Sequence, residues 1–190
     1  MTVLITKEIE MKKTLLIAGA SIIALSTAAG AATFSINGGT AGFIPGGSAT
    51  NEVLTNVFGI TSAVGDFGAT IDLVGSGDVM VDYIGYEAGY ANSFDMSSGA
   101  QSGSFATTPG SGAEYADLSV GGTGPLDTFT LTGVAAGTLD FTFSSPYDTA
   151  SNGTNPLNIP GAVNFFAAYG ATTDTVYLFF DDIGAGDDDN

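Results

Sequence analysis

The sequence has no cysteine, no histidine and no tryptophan, and its only basic residues are Lys7, Lys12 and Lys13 near the start. Without cysteine no disulfide can form, so burial of apolar side chains must stabilise the fold. Without histidine or cysteine, a Ser–His–Asp or Cys–His nucleophile and an ordinary zinc site are excluded. These absences leave oxygen ligands and carboxylate chemistry as the means by which a functional site could be built.

The first 31 residues have the features of a secretory signal peptide. Lys12 and Lys13 form a short basic start, and an apolar core follows over residues 15–25. Small residues come next, with Ala29 and Ala31 placed as in an Ala-x-Ala cleavage site. Because the apolar core is too short to span a bilayer, we predict a helical leader that is removed on export. A retained N-terminal membrane anchor is the alternative.

Without this leader, every charged side chain of the chain is acidic. Glu8 and Glu10 lie upstream of the basic start, which is atypical of a leader, so we expect translation to begin at Met11. Of the twenty acidic residues only these two fall in the leader, so eighteen carboxylates and no basic side chain remain from Ala32 onward. Nucleic acid and an anionic membrane surface are excluded as partners, because nothing in the mature chain can neutralise phosphate. An acidic surface adapted to high salt explains the charge equally well.

Residues 32–190 show the pattern of one all-β domain. Short β-branched and aromatic runs are separated by Gly, Ser, Asn and Pro, and helical periodicity is almost absent. We predict a single antiparallel β-sandwich, jelly-roll-like, with about nine to eleven strands. The predicted strands are 33–36, 42–44, 52–60, 70–74, 79–86, 114–120, 127–131, 137–144, 163–169 and 175–180.

Two neighbouring segments, 127–131 and 137–144, have the cleanest alternation. The short connection 132–136 between them predicts an antiparallel hairpin. Residues 87–112 are rich in Gly, Ser, Ala and Thr, so we predict a long loop with at most one edge hairpin. The side chains predicted to face inward are Phe129, Leu131, Leu139, Phe141 and Phe143.

The end of the chain holds a candidate metal site. An apolar run over 176–180 turns into a segment with two glycines and five aspartates. Calcium takes about six to eight oxygen ligands, and glycines let backbone carbonyls turn inward, so the segment predicts a calcium site. Its spacing is not that of an EF-hand, and a solvated acidic tail is the alternative. The predicted ligands are Asp181, Asp182, Asp187, Asp188 and Asp189.

A carbohydrate-binding module is an alternative function from a different class. Tyr83, Tyr86 and Tyr90 come close together in the sequence, and exposed tyrosines can form a platform for a sugar ring. On this hypothesis the platform and the loop 87–112 would bind the glycan.

A carboxylate-only glycoside hydrolase is the third possibility, because that chemistry needs just two carboxyl groups. Asp82 with Glu87, or Glu114 with Asp117, can be nominated as the pair. Neither pair lies in a recognisable motif. We therefore assign no catalytic residue and expect a protein that is not an enzyme.

The segment Tyr177-Leu-Phe-Phe-Asp-Asp-Ile-Gly-Ala-Gly-Asp-Asp-Asp-Asn190 resembles a phrase common in secreted Gram-negative proteins with PEP-CTERM or VPLPA-CTERM sorting tails. In that group the phrase continues into His-Asp-Asp, a hydrophobic strand and a tail handled by an exosortase-type system. The resemblance implies export, an extracytoplasmic β-rich domain and a link to surface or exopolysaccharide material, and it carries over no catalytic residues. Because this chain stops at Asn190, where the phrase would continue, we expect a fragment that lacks the sorting tail.

These observations together predict a secreted, acidic β-sandwich located outside the cell or on its outer surface. Its expected partners are exopolysaccharide or other surface components, and calcium is the expected cofactor.

Overall fold

The computed structural model describes residues 21–27, 32–44, 53–59, 62–86, 90–108 and 113–182 of the chain. Within these ranges the backbone forms thirteen strands and one short helix, α1 (Val53–Phe58). The strands are β1 (Ser21–Thr27), β2 (Thr33–Phe43), β3 (Val64–Val74), β4 (Gly77–Tyr86), β5 (Ser93–Ser98), β6 (Gln101–Ala106), β7 (Glu114–Tyr115), β8 (Asp127–Val134), β9 (Gly137–Thr138), β10 (Asp140–Ser144), β11 (Thr149–Ser151), β12 (Asn164–Tyr169) and β13 (Thr175–Asp181).

The strands form two antiparallel sheets on either side of one main hydrophobic core. The larger sheet has nine strands in the order β2-β3-β12-β13-β1-β4-β7, with β8 paired to β4 and β9 paired to β3. The smaller sheet has four strands in the order β11-β10-β5-β6. Residues of both sheets contribute to the same buried cluster. The predicted all-β antiparallel sandwich is therefore confirmed.

Phenylalanine rings from the two sheets meet at the centre of this core. Phe141 and Phe143 on β10 lie 5.2 and 5.8 Å from Phe165 on β12, measured between ring centroids. Phe143 also stacks on Phe180 of β13 at 4.8 Å. Each ring pair of this kind contributes about 0.5–1.5 kcal/mol beyond the burial of its apolar area. Aromatic packing therefore joins the small sheet to the middle of the large one.

The hairpin predicted for 127–131 and 137–144 does not form. β8 pairs with β4 in the large sheet, whereas β10 pairs with β5 and β11 in the small sheet. Both segments place apolar side chains in the one core from opposite sides, so the chain crosses between the sheets instead of folding back on itself. The inward faces predicted for these strands hold, since Leu131, Leu139, Phe141 and Phe143 are buried and Phe129 is half-buried.

Helix α1 replaces the strand predicted over 52–60. Leu54, Val57 and Phe58 have the i, i+3, i+4 spacing of one helical face, which the loose alternation of this segment obscured. The helix covers the outer face of the large sheet, where Leu54 packs in a second cluster with Phe166 and Phe179. The central strands are thus buried on both faces. Among the described residues, no helix has the length and apolar character needed to cross a bilayer.

Residues 87–112, predicted as a loop with at most one edge hairpin, contain the hairpin β5–β6. Ser98 pairs with Gln101 across a two-residue turn, and Gly99 opens that turn with φ of 61°. Glycine adopts such a backbone angle without steric cost. β6 is an edge strand of the small sheet, as expected.

Strand β1 comes from the segment that the sequence assigns to the leader. It is antiparallel to both neighbours, pairing with β13 along Ser21–Ser26 and with β4 along Ile22–Thr27. Ile23 and Leu25 are completely buried in the main core. An apolar segment with two paired edges and two covered faces is a central strand, so these residues are extended and not helical. Removal of the leader stays a prediction, since Met11 and the cleavage site at 29–31 lie outside the described residues.

We predict that Phe143→Ala lowers the free energy of unfolding by about 3–5 kcal/mol, because it empties a ring-sized volume between the sheets. Val120→Ala is the matched control, since Val120 is 99% exposed, and it should change stability by less than about 0.5 kcal/mol. Urea unfolding followed by circular dichroism measures both. Equal effects of the two substitutions would contradict the position of Phe143.

Candidate metal centre

Asp181 and Asp182 stand at the end of β13 and are 1% and 2% exposed. Burial of two adjacent carboxylates is unusual, because charged groups are seldom removed from water without a partner. The other three predicted ligands, Asp187, Asp188 and Asp189, lie outside the described residues. The described part of the candidate site is therefore the end of β13, where the acidic segment begins.

The pairing of β13 with β12 sets the surroundings of Asp181. Asp181 is directly opposite Asn164, the first residue of β12. Since successive side chains of a strand point to opposite faces, Asp181 shares the face of Phe179, which belongs to the outer cluster. Asn164 is completely buried, and its Nδ2 donates to Asn158 Oδ1 at 3.3 Å and to the Ala162 carbonyl at 3.4 Å.

Asp182 lies towards the other sheet. Its Oδ2 accepts a hydrogen bond of 2.8 Å from Nδ2 of Asn92, which is 2% exposed and precedes β5. Asn92 is held by Thr107, whose hydroxyl accepts from the Asn92 amide at 2.9 Å, and whose own amide donates to the Asn92 carbonyl at 2.9 Å. The contact therefore ties the end of β13 to the small sheet.

Two buried amide oxygens beside these carboxylates lack hydrogen-bond donors. The Oδ1 atoms of Asn92 and Asn164 accept no hydrogen bond. A buried polar atom without a partner costs about 1–3 kcal/mol, so such atoms in a native fold call for an explanation, of which a bound ion is one. Asp182 is thus hydrogen-bonded to the amide nitrogen of one of these asparagines, and Asp181 is the strand partner of the other.

The described part of the chain contains carboxylates and no cationic side chain. All three lysines lie within residues 1–20, outside the described ranges. The whole chain has a formal net charge of −17 at pH 7. Carboxylate and amide oxygens are hard ligands that suit calcium, and they do not suit zinc. The residues present therefore fit a calcium ion in kind.

The described residues do not form a complete metal site by themselves. No group of three or more His, Cys, Asp or Glu side chains in the described ranges is arranged to hold a metal ion. The two described carboxylates lie on opposite sides of the strand end, each beside one asparagine. A calcium ion bound here would need further oxygens, for which the segment containing Asp187, Asp188 and Asp189 follows directly in the chain.

Sequence reasoning missed the two asparagines. Asn164 opens an otherwise apolar run, Phe165 to Ala168, and asparagine is depleted in strands, so a polar residue at that position was a usable signal. Asn92 sits in a segment rich in small polar residues and carries no such signal. Only the strand pairing brings Asn164 to Asp181.

The predicted tyrosine platform is not exposed at two of its three positions. Tyr83 and Tyr86 are 7% and 3% exposed, and their rings stack in the main core with centroids 6.2 Å apart. Simple alternation along β4 would put Tyr86 on the opposite face from Tyr83. An extra residue opposite β1, between Tyr83 and Gly85, shifts the register and brings both rings to one side.

Tyr90 is half-buried and has an aromatic neighbour that the sequence did not indicate. Its ring meets Tyr147 edge to face, with centroids 5.2 Å apart, and Tyr147 is 64% exposed. This pair presents the accessible aromatic surface that the buried tyrosines do not.

The structure describes three of the four carboxylates nominated for a glycosidase. Asp82 accepts a hydrogen bond of 2.7 Å from the Thr128 hydroxyl, and Glu87 lies outside the described residues. Glu114 is exposed. The hydroxyl and the backbone amide of Ser119 lower the pKa of Asp117, whereas a general acid needs a raised pKa.

A polar groove of about 370 Å³ crosses the outer face of the small sheet. Ser97 donates to Asp140 Oδ2 at 2.5 Å across β5 and β10, and Thr142 is hydrogen-bonded to Ser151 at 2.8 Å. The groove has hydroxyls and two carboxylates, Asp95 and Asp140, and no aromatic ring presented to solvent. Sequence reasoning did not predict it.

Comparisons with protein-family models, with curated proteins and with solved structures found no match to this chain. The functional conclusions therefore rest on the chain's own residues.

Tyr177 lies two residues before Phe179 on β13. Its environment can be tested by measuring stability as a function of pH. Burial, and secondly the nearby Asp82 charge, raise the pKa of Tyr177 above its ordinary 10.0. A raised pKa contributes stability that is present below pH 10 and lost as pH rises through the folded-state value. We predict that stability falls above about pH 10 and that Tyr177→Phe reduces this fall. Urea unfolding at a series of alkaline pH values measures it, and an unchanged pH profile in the variant would contradict the environment described.

Proposed function

We propose that this chain is an exported, non-enzymatic β-sandwich that binds calcium at the end of β13 and serves as a component of the cell surface or extracellular matrix. The observation that carries the calcium part is the burial of Asp181 and Asp182, at 1% and 2% exposure, next to Asn92 and Asn164, whose buried Oδ1 atoms accept no hydrogen bond. Export and the surface location rest on the leader-like N-terminus and the resemblance of residues 177–190.

Calcium is favoured over other divalent ions by the kind of ligands at this place. Magnesium demands near-ideal octahedral geometry and keeps several waters, whereas calcium accepts irregular sets of carboxylate and carbonyl oxygens. Asp181 and Asp182 leave the strand on opposite sides, and the neighbouring donors are amide oxygens of Asn92 and Asn164. An irregular set of this kind suits the larger ion.

A surface or matrix role is consistent with the charge of the folded domain. A domain whose charged side chains at neutral pH are all carboxylates, as in residues 32–190, repels other polyanions, and divalent cations can bridge it to them. Anionic exopolysaccharide is the partner class that this chemistry suits. On this proposal calcium stabilises the fold and also bridges the domain to the exopolysaccharide.

A calcium titration tests the proposal. We predict that millimolar calcium raises the melting temperature. A one-site ligand at about 100 times its Kd adds about 2.7 kcal/mol to the free energy of unfolding. Asp181→Asn and Asp182→Asn should each remove most of this rise, and in chelator each should be as stable as the parent or more so, because a buried charge is gone. Differential scanning fluorimetry and isothermal titration calorimetry measure these effects.

Asp127→Asn is the matched control for this experiment. Asp127 is exposed on β8 and accepts one hydrogen bond of 2.8 Å, from the Thr128 amide, which asparagine can also accept. The control should respond to calcium as the parent does. No heat and no rise in melting temperature for the parent chain, or an equal loss in the Asp127 variant, would contradict the site.

Carbohydrate binding is a second candidate, favoured by the pair Tyr90–Tyr147. We predict that any glycan bound by the domain uses this pair, so Tyr147→Ala should abolish a signal on a glycan array. Tyr83→Phe should leave the signal intact, because Tyr83 is buried. Binding that survives Tyr147→Ala would reject this pair as the platform.

A further inference from the structure

The sheet takes its central strand from the segment that the sequence predicts to be lost. β1 contributes residues 21–27, whereas predicted cleavage follows Ala31. It lies between β13 and β4 and is antiparallel to both. At its end, the Thr27 amide donates to the Asp174 carbonyl at 3.1 Å, and its hydroxyl donates to the Ala32 carbonyl at 2.8 Å.

The position of β1 selects side chains by size. Ile23 and Leu25 are fully buried in the main core between the sheets. Ala24, on the opposite face, is 6% exposed and lies directly between Tyr177 of β13 and Asp82 of β4. The position therefore takes a large aliphatic residue, a small residue and a large aliphatic residue in succession.

Loss of the leader would open this position. β13 and β4 would each keep a row of backbone N–H and C=O groups without partners, and the core would lose two buried aliphatic side chains. Open edges beside exposed apolar surface are templates for the addition of another strand. A mature domain must therefore fill the gap or separate along it.

We propose that the gap between β13 and β4 is a strand-acceptor groove, which residues 21–27 fill in the precursor and which a strand of a separate partner polypeptide fills after the leader is removed. The proposal rests on the export that is part of the proposed function. The partner strand runs antiparallel to β13 and β4 and carries the large–small–large aliphatic pattern.

Charge adds a second requirement on the partner. Asp181 and Asp182 flank one end of the groove, where Ser21 pairs with Phe180. Asp174 flanks the other end, and Asp82 is paired with Ala24 along the side. Lysine or arginine on either side of the apolar core of the donor strand would be attracted to these carboxylates.

The groove can be tested on the full chain, made in a membrane-free synthesis system so that the leader is kept. A specific protease site inserted between Ala29 and Gly30 allows cutting after folding. The fragment 1–29, which otherwise stays in the groove, is then removed by gel filtration in urea, and the remaining chain is refolded with the probe present. The probe is a fluorescent peptide with the sequence of residues 20–28 and two lysines at each end. We expect it to bind the cut chain and not the uncut chain, as read by fluorescence anisotropy.

Variant peptides establish what the groove recognises. Ile23→Asp with Leu25→Asp should weaken binding at least about 100-fold, since it would bury charge. Ala24→Phe should weaken it at least about tenfold through steric clash. Glutamates in place of the terminal lysines should also weaken it. Equal binding of all peptides, including a scrambled one of the same composition, would overturn the proposal, and so would failure of any peptide to bind the cut chain.

The mass of the protein released by an exporting Gram-negative host separates this proposal from the proposed function. A mature N-terminus beyond Thr27 leaves the groove to be filled and supports the proposal. An exported protein that still contains residues 21–27 would overturn it while leaving export and calcium binding in place. Failure of export would count against the proposed function, and the peptide experiment would still decide whether the groove exists.

Discussion

The pairing of both edges of β13 is the interaction on which the rest of the structure depends. β12 pairs along one edge and β1 along the other. Its side chains enter the main core on one face, through Phe180, and the outer cluster on the other, through Phe179. No disulfide or ion pair between side chains can form in the described residues, because they contain neither cysteine nor a cationic side chain. Hydrogen bonds between paired strands therefore hold each sheet together, and buried aromatic rings pack one sheet against the other.

The second constraint is the excess of negative charge. Serine and threonine hydroxyls stabilise the carboxylates by donating hydrogen bonds to them. Carboxylates on the surface are hydrogen-bonded by serine and threonine where another protein would use lysine or arginine. Asp140 accepts from Ser97, Asp82 from Thr128, and Asp117 from Ser119. Asp181 and Asp182 differ because they are buried, with Asp182 accepting from the Asn92 amide and Asp181 lying opposite Asn164. Among the described residues, the end of β13 is therefore the place where carboxylates are removed from water.

Local periodicity was enough to predict the fold class, because strands with one buried face repeat every second residue. Leu139, Phe141 and Phe143 were placed correctly on this basis. Pairing could not be read in the same way: β8 and β10 look like a hairpin in sequence, yet each buries its apolar face from a different sheet. The shared face of Tyr83 and Tyr86 depends on a register shift in β4, which cannot be seen in the alternation of the sequence.

The site was predictable in part for a related reason. Asp181 and Asp182 could be proposed as candidate ligands because the abrupt change from apolar to acidic residues is visible in the sequence itself. Asn92 and Asn164 are brought beside them by contacts between distant segments, which a single sequence does not reveal. Residues 21–27 show the limit most clearly, because an apolar run of that length serves equally well as a leader or as a central strand. In the structure these residues occupy the position between β13 and β4, which is the use as a central strand.

Hydrogen exchange in the intact chain tests this account most directly. We predict that the backbone amides of residues 22–26 exchange as slowly as those of 176–181, at the rate of global unfolding, because the two segments are paired in the centre of one sheet. Exchange of residues 22–26 at the rate of an unstructured peptide, with β13 still protected, would show that the leader segment is not the native central strand.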